Sequence, residues 1–375
     1  MFRPHIQRLE VLIVLAILSA GLFFWAAEST LVVKARGHDL KIVAAEKMAQ
    51  AMSTLKEVRL GSEGIVMEDN PNDPNGTMLV GSEYTPITTD RGNLDAKLTT
   101  LNPNFAAVVV DMLVAADVEN GDTVAVAFTG SMPGANISVL AACLAMEIHP
   151  VIITSVGASE WGATDPNFTW VDMESELQSK DEFKFASIAA SIGGGGDRGK
   201  GLSPNGRELL KEAINRNYHI LHSIQEKDLE SSISKRIDLF GEVLPLSDYK
   251  VYLNVGGGAA SVGPRINARL VPPGLSSAAS LKGGLADCVL KRFVDVNVPV
   301  IHIHNIEELA EKYDLPFPPI PMPETGIGQI FAQLTFNRTI SLIALILTLG
   351  SLTAVGLRSH RQVKEVMEYD PEASL

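Results

Sequence analysis

The sequence predicts an α/β protein, a mostly parallel sheet with helices on both faces, flanked by a transmembrane helix at each end. Three observations lead there. Short apolar runs alternate with helix-like runs from residue 77 to residue 304. Two uncharged apolar stretches stand near the ends of the chain, each close to the ~20 residues that cross a bilayer. Glycine-rich segments directly follow several of the apolar runs, where an open parallel sheet turns from strand to helix.

Taken in order, residues 1–10 carry Arg3 and Arg8, and residues 11–27, VLIVLAILSAGLFFWAA, form the first span. The alternative, a cleaved signal peptide, lacks a small-x-small site after Phe23, Phe24 and Trp25. Residues 28–62 predict a juxtamembrane amphipathic helix with Leu40, Val43, Ala44, Ala51, Met52, Leu55 and Val58 on one face. That helix is expected to end at Gly61 and Gly64, the turn-rich EDNPNDPNG (68–76) that follows is the boundary candidate, and one α/β domain is assigned to residues 63–338. The second span, residues 339–357, is followed by Arg358, Arg361 and Lys364 in a tail ending at residue 375. Basic residues flank both spans on their outer sides, so the positive-inside tendency places both termini in the cytoplasm and the domain outside the cell membrane.

Within the domain the expected strands are TMLVG (77–81), DTVAVAF (122–128), PVIITS (150–155), FASIAASI (185–192), YHILHS (218–223), KVYLNV (250–255) and PVIHIH (299–304). Helical patterns alternate with them: PNFAAVVVDMLVAADV, ANISVLAACLAMEI, VDMESELQSKDEF, PNGRELLKEAINRN, QEKDLESSISKRIDLF and SSAASLKGGLADCVLKRF. Strands that are apolar throughout and separated by helices predict a doubly covered, Rossmann-like sheet. The proline-rich DLPFPPIPMPETG predicts a stiff, extended linker back to the membrane.

A formal net charge of −13 argues against nucleic acid as a partner, because phosphate contacts need a basic surface. The two cysteines, Cys143 and Cys288, lie in apolar runs and read as buried free thiols. No Cys/His spacing suggests a metal, and no cofactor is expected. The segment SIGGGGDRGKG matches the first seven positions of G-x-x-x-x-G-K-[ST] from Gly194, but Gly201 stands where a hydroxyl should hold Mg²⁺. A helix start only at Ser203–Pro204, and a location outside the cell, also argue against a nucleotide loop.

A ligand crevice is expected beyond the carboxyl ends of the strands. The candidate residues are Thr129, Gly130 and Ser131 after the second expected strand, with Ser155 and Glu160 after the third. Gly194, Gly195, Asp197, Arg198 and Lys200 follow the fourth, and Gly256 and Gly257 the sixth. Glycines let backbone N–H groups approach anionic oxygens, and Arg198, Lys200, Arg265 and Arg269 offer local positive charge in an acidic chain. Arg91 and Lys97, in TTDRGNLDAK, have no assigned place relative to the sheet edge. Ser131 is a possible nucleophile with His219, His222, His302 or His304 as base, although TGSMPG lacks the nucleophile-elbow spacing and satisfied core histidines are the simpler reading.

The ordered segments TTDRGNLDAKLTTLNPNFAAVVVDML, VAFTGSMPGANISVLAA, SVGASEWGATDPNFTWVDME and YLNVGGGAASVG, between two terminal spans, resemble the bacterial poly-γ-glutamate system protein family. The resemblance implies a membrane protein accompanying the ligase and membrane subunits that make poly-γ-glutamate, and it carries over no catalytic residue. The resulting expectation is an accessory protein of poly-γ-glutamate synthesis or export. It would bind that polymer, another carboxylate-bearing ligand or the synthase membrane subunits through glycine-rich loops. The alternatives are a hydrolase or amide-transferase acting on the polymer, and a scaffold without a ligand site.

Overall fold

In a computed structural model, which describes residues 9–61 and 70–369, the chain divides into two compact units. One comprises the chain up to Lys34 and from Ala332 onward; the other is Ala35–Phe331.

In the first unit, α1 (Leu9–Glu28) leads into β1 (Thr30–Lys34), and β9 (Ala332–Phe336) leads into α13 (Arg338–Tyr369). Strands β1 and β9 pair antiparallel, Thr30 opposite Phe336 and Lys34 opposite Ala332, and α1 packs against α13. Among the described residues, two single helical stretches are long and apolar enough to cross a membrane, Leu9–Glu28 and Arg338–Glu365. The strand pair has no counterpart in the sequence-based expectation, which places residues 28–62 in one juxtamembrane helix and so reads TLVVK as its start.

The second unit runs α2 (His38–Gly61), α3 (Leu94–Thr100), α4 (Phe105–Ala115), β2 (Thr123–Thr129), α5 (Pro133–Ala145), β3 (His149–Ser155), α6 (Trp170–Ser179), β4 (Ala189–Ser191), α7 (Pro204–Arg216), β5 (His222–Ile224) and α8 (Leu229–Val243). It continues through β6 (Tyr252–Val255), α9 (Arg265–Leu270), β7 (Gly274–Ser276), α10 (Ala278–Leu281), α11 (Val289–Asp295), β8 (Val300–Ile303) and α12 (Ile306–Lys312). Helix starts follow local chemistry: Asn93 accepts from Ala96 N–H, Asp228 from Ser231 N–H, Ser203 from Gly206 N–H, and Pro133 opens α5.

The sheet has the order β5-β4-β3-β2-β6-β8-β7, parallel throughout except for the antiparallel edge strand β7. From β2 the chain steps outward through β3, β4 and β5, then returns to the other side of β2 with β6 and β8. The strand order therefore reverses between β2 and β6.

Side chains alternate across the strands and feed two cores. Val124, Val126 and Phe128 join Ile152, Leu253 and Val255 on the face covered by α2, α4, α5, α6 and α7. Ala125, Ala127, Val151, Ile153 and Tyr252 face α8, α10 and α11, where Phe240, Tyr249, Tyr252 and Phe293 form an aromatic cluster. Helix α4 is buried on almost all sides, which explains why its sequence is apolar all round.

Several local expectations need correction. Residues 77–81 are not a strand: the Asp73 carboxylate accepts from Thr77 Oγ1 and Met78 N–H, and Met78 takes φ 62°. The buried stripe of α2 is Lys41, Ala44, Ala45, Met48, Ala51, Met52 and Leu55, while Leu40 and Val43 are exposed. Small alanines set that face because they admit close approach to α4 and α5. The proline-rich segment is no free linker: Asn75 holds Pro319 O and Met322 N, and Asn104 holds Glu324 O and Gly326 N. The pattern from residue 276 to 293 breaks into α10 and α11 around Gly283 and Gly284, both at positive φ. Cys143 and Cys288 are buried, unpaired thiols.

The GGGGDRGKG loop folds back on itself through Gly199 N–H to Gly193 O and Lys200 N–H to Gly195 O. Its acidic residue turns inward, away from any ligand role. The Asp197 carboxylate meets Arg236 Nη1 at 2.7 Å and the hydroxyls of Ser191 at 2.7 Å and Ser232 at 2.5 Å, and both charged groups are fully buried. Arg236 Nη2 adds Ser191 Oγ at 2.8 Å, so the pair ties α8 to the ends of β3 and β4. Breaking such a pair leaves an uncompensated buried charge. Asp197→Ala is expected to lower stability by about 3–5 kcal/mol, against a change within about 0.5 kcal/mol for the exposed neighbour Arg198→Ala, in urea denaturation of the detergent-solubilised chain.

Candidate functional site

Because β2, β3, β4, β6 and β8 are parallel, the segments after Thr129, Ser155, Ser191, Val255 and Ile303 emerge at one edge of the sheet. At that edge a crevice of about 1130 Å³ lies over the order reversal between β2 and β6. Such a position is where open α/β sheets bind ligands.

Three backbone segments build its wall. Gly130 lies against the turn after β3, and a Cβ there would sit 2.2 Å from Val156 O. Residues 88–92 run alongside the same turn: Thr89 N–H donates to Ala158 O, and Glu160 N–H to Asp90 O. The Glu160 carboxylate completes the joint by accepting Gly92 N–H at 2.9 Å. The chain then enters α3, which directs Lys97 into the crevice wall.

Lys97 is only 3% exposed, yet its ammonium-bearing end reaches polar partners. Nζ contacts the carbonyl oxygen of Ser131 and lies 2.8 Å from Ser159 Oγ. Ser159 N–H in turn donates to Ser131 Oγ at 3.0 Å. Burial pushes the Lys97 amine down to about 7, with Glu160 acting in the opposite direction.

The floor is formed by Thr129, His302 and His304. His302 Nδ1 faces Asn254 Nδ2 at 3.1 Å; since that amide also donates to Gly256 O, Nδ1 is the acceptor and Nε2 carries the hydrogen. The His304 ring stacks on His302 with centroids 5.3 Å apart. Burial and then His304 hold His302 down at about 3, and burial and then Lys97 lower His304, so both rings are neutral near pH 7. Thr129 Oγ1 and His302 Nε2 are buried without a hydrogen-bond partner among the described residues. Of the eleven such side-chain atoms among the described residues, these two belong to crevice-lining side chains.

The rim carries Arg91, Arg265 and Arg269, offset by Asp90, Glu307 and Glu308. Arg265 approaches Asp90 at 3.6 Å with both side chains largely exposed, an arrangement of little energetic weight. Among the described residues no group of three or more His, Cys, Asp or Glu has the arrangement of a metal site.

Of the residues singled out from sequence, Thr129, Ser131, Ser155, Gly194, Gly195, Gly256 and Gly257 line the crevice. Gly130 and Glu160 are not lining residues; they brace the wall. Asp197 is committed to Arg236, and Arg198 and Lys200 are exposed and are not part of the lining. His219 stands beside Glu174 at 3.6 Å, and His222 begins β5; neither lines the crevice. Sequence reasoning did not assign Ser159 a role, and it left Lys97 unplaced. The signal for Lys97 was a lysine inside a short apolar helix start, LDAKLTT, where the buried face includes Ala96 and Leu98.

The lysine makes stability depend on pH in a definite direction. Between about pH 7 and an unfolded value near 10.4, the unfolded chain holds a proton that the folded chain lacks, so stability rises with pH across that window. The expected slope is up to about 1.4 kcal/mol per pH unit, and Lys97→Met should remove this contribution in denaturation curves recorded from pH 7 to 9.5. Compared with known proteins, the chain matches no protein-family model, no curated protein and no solved structure.

Proposed function

We propose that the protein is a membrane-anchored accessory component of poly-γ-glutamate synthesis or export, and that its crevice holds carboxylate groups of that polymer. The observation that carries the reading is the crevice itself. In a chain of net charge −13, Arg91, Lys97, Arg265 and Arg269 share a crevice lining with Asp90, Glu307 and Glu308, alongside buried, unpartnered polar atoms of Thr129 and His302. A γ-linked glutamate chain repeats one α-carboxylate per unit, which suits guanidinium partners and hydroxyl or ring N–H donors.

The polymer's identity rests on the likeness of the four ordered segments to the poly-γ-glutamate system family. We read the sheet as Rossmann-like on its strand order, and the domain as extracytoplasmic on the basic flanks Arg3, Arg8, Arg358, Arg361 and Lys364. The two apolar helices then anchor the domain beside the synthase membrane subunits, where it receives the emerging polymer. Binding through rim arginines is sensitive to salt, because exposed charges are screened within about 10 Å at 0.1 M.

The test is poly-γ-glutamate binding to the full chain in detergent micelles. Arg91→Gln and Arg269→Gln are each expected to weaken binding roughly two- to tenfold, and added salt to weaken it further. Arg198→Gln with Lys200→Gln is expected to leave it unchanged. No binding at low salt, or equal losses from both sets of substitutions, contradicts the reading.

A further inference from the structure

We propose that Ser159 and Lys97 are a nucleophile and its general base, and that the crevice transfers the acyl group of an amide or ester carrying a nearby carboxylate. The inference deepens the crevice reading above and rests on it for the carboxylate, while the chemistry stands on its own geometry.

Four observations carry it. Lys97 Nζ lies 2.8 Å from Ser159 Oγ, within direct proton-transfer range. Lys97 is buried and held in place by the Ser131 carbonyl, so the amine donates one hydrogen there and keeps its lone pair for the Ser159 hydroxyl. Ser159 is half-buried and lines the crevice, which gives its oxygen access to a ligand. Thr129 Oγ1 and His302 Nε2, on side chains of the same lining, are buried polar atoms without a partner among the described residues, which marks this lining as polar and incompletely satisfied.

The geometry also distinguishes the two serines. Ser131 Oγ accepts the backbone N–H of Ser159, and its contact with Lys97 is through the main-chain carbonyl. Its hydroxyl therefore positions the turn, whereas that of Ser159 faces the base. His302 is unsuited to this role, since burial makes its ring a weak base and its Nδ1 is already engaged by Asn254.

The steps balance. Neutral Lys97 takes the Ser159 hydroxyl proton as Oγ bonds to the substrate carbonyl carbon. The carbon–nitrogen or carbon–oxygen bond to the leaving group breaks, and Lys97 returns the proton to the departing amine or alcohol. Water, or an acceptor amine, then attacks the acyl-serine ester while Lys97 again takes and returns one proton. Hydrolysis yields a carboxylic acid, and transfer to an amine yields a new amide.

Activity of this kind requires the unprotonated lysine, whose ordinary value is lowered by burial to about 7. The titratable group acting on it is Glu160, from the turn after β3, while Lys97 in turn lowers His304 at the end of β8. Asp90, Arg91, Glu307 and Glu308 stand farther out on the crevice lining. Activity should therefore rise with pH through the region near 7 and level off above it.

The experiment treats the full detergent-solubilised chain with a fluorophosphonate reagent from pH 5 to 9 and locates the adduct by peptide mass mapping. The expected result is a single adduct on Ser159, with a rate rising about tenfold per pH unit below the midpoint. Ser159→Ala should abolish the adduct, and Lys97→Arg should slow it by about 10²–10⁴-fold while circular dichroism is unchanged. If Lys97→Arg does not fold, the pH profile of the unaltered chain and the Ser159→Ala control decide the matter. No adduct, an adduct on Ser131, or a rate independent of pH overturns the proposal. An adduct on Ser159 in a chain that does not bind poly-γ-glutamate sustains this chemistry and removes the polymer reading; binding without an adduct does the reverse.

Discussion

Backbone-on-backbone contact at the carboxyl edge of the sheet is the constraint from which the rest of the site follows. Gly130 leaves only enough space for its own hydrogen against Val156 O, and a Cβ on Gly92 would sit 2.3 Å from Glu160 O. No other residue fits at either place without moving main chain. Residues 88–92, 130–132 and 156–160 are therefore fixed as one wall, and α3 starts from that wall with Lys97 two turns from the joint at most. The lysine is buried because the wall is closed, and it reaches Ser159 because Gly92 and Glu160 set where α3 begins.

Burying an amine is costly, and the fold offsets the cost locally. A carbonyl, a hydroxyl and the nearby Glu160 charge surround Lys97, and the remaining penalty appears as a weaker base. A second buried cation, Arg236, is treated differently: Asp197 and three serines satisfy it, and it binds secondary structure together. The contrast separates the two polar centres by purpose. One is a completed internal network; the other leaves polar atoms of Thr129 and His302 without partners beside an open crevice.

Much of the architecture was legible because parallel strands buried on both faces have few ways to hide. VAVAF, VII and VYL are apolar on consecutive residues, and each strand ends in glycine or small polar residues that turn toward a helix. Short or irregular elements escaped for physical reasons. The three-residue β7 adds an antiparallel edge through Gly274–Ser276, too short for a periodic signal, and α9 has only six residues. At the site, local sequence named the loops after β2, β3, β4 and β6 but singled out charges, Arg198 and Lys200, that do not line the crevice. Arg198 and Lys200 stood out because they follow four glycines, whereas only tertiary contact reveals that Asp197 turns that loop inward and that Lys97, some 60 residues before Ser159, meets it. The fold class follows from periodicity; the pairing of a lysine with a serine depends on loop closure, which periodicity does not encode.

The crevice over the β2–β6 reversal is the proposed place of ligand recognition. Hydrogen–deuterium exchange of the full chain, with and without poly-γ-glutamate, tests it most directly by mapping protection along the backbone. Slower exchange confined to residues 88–97, 129–133, 256–273 and 302–308 is the expected result. Protection centred instead on residues 193–203, or no change anywhere at saturating polymer, would contradict it.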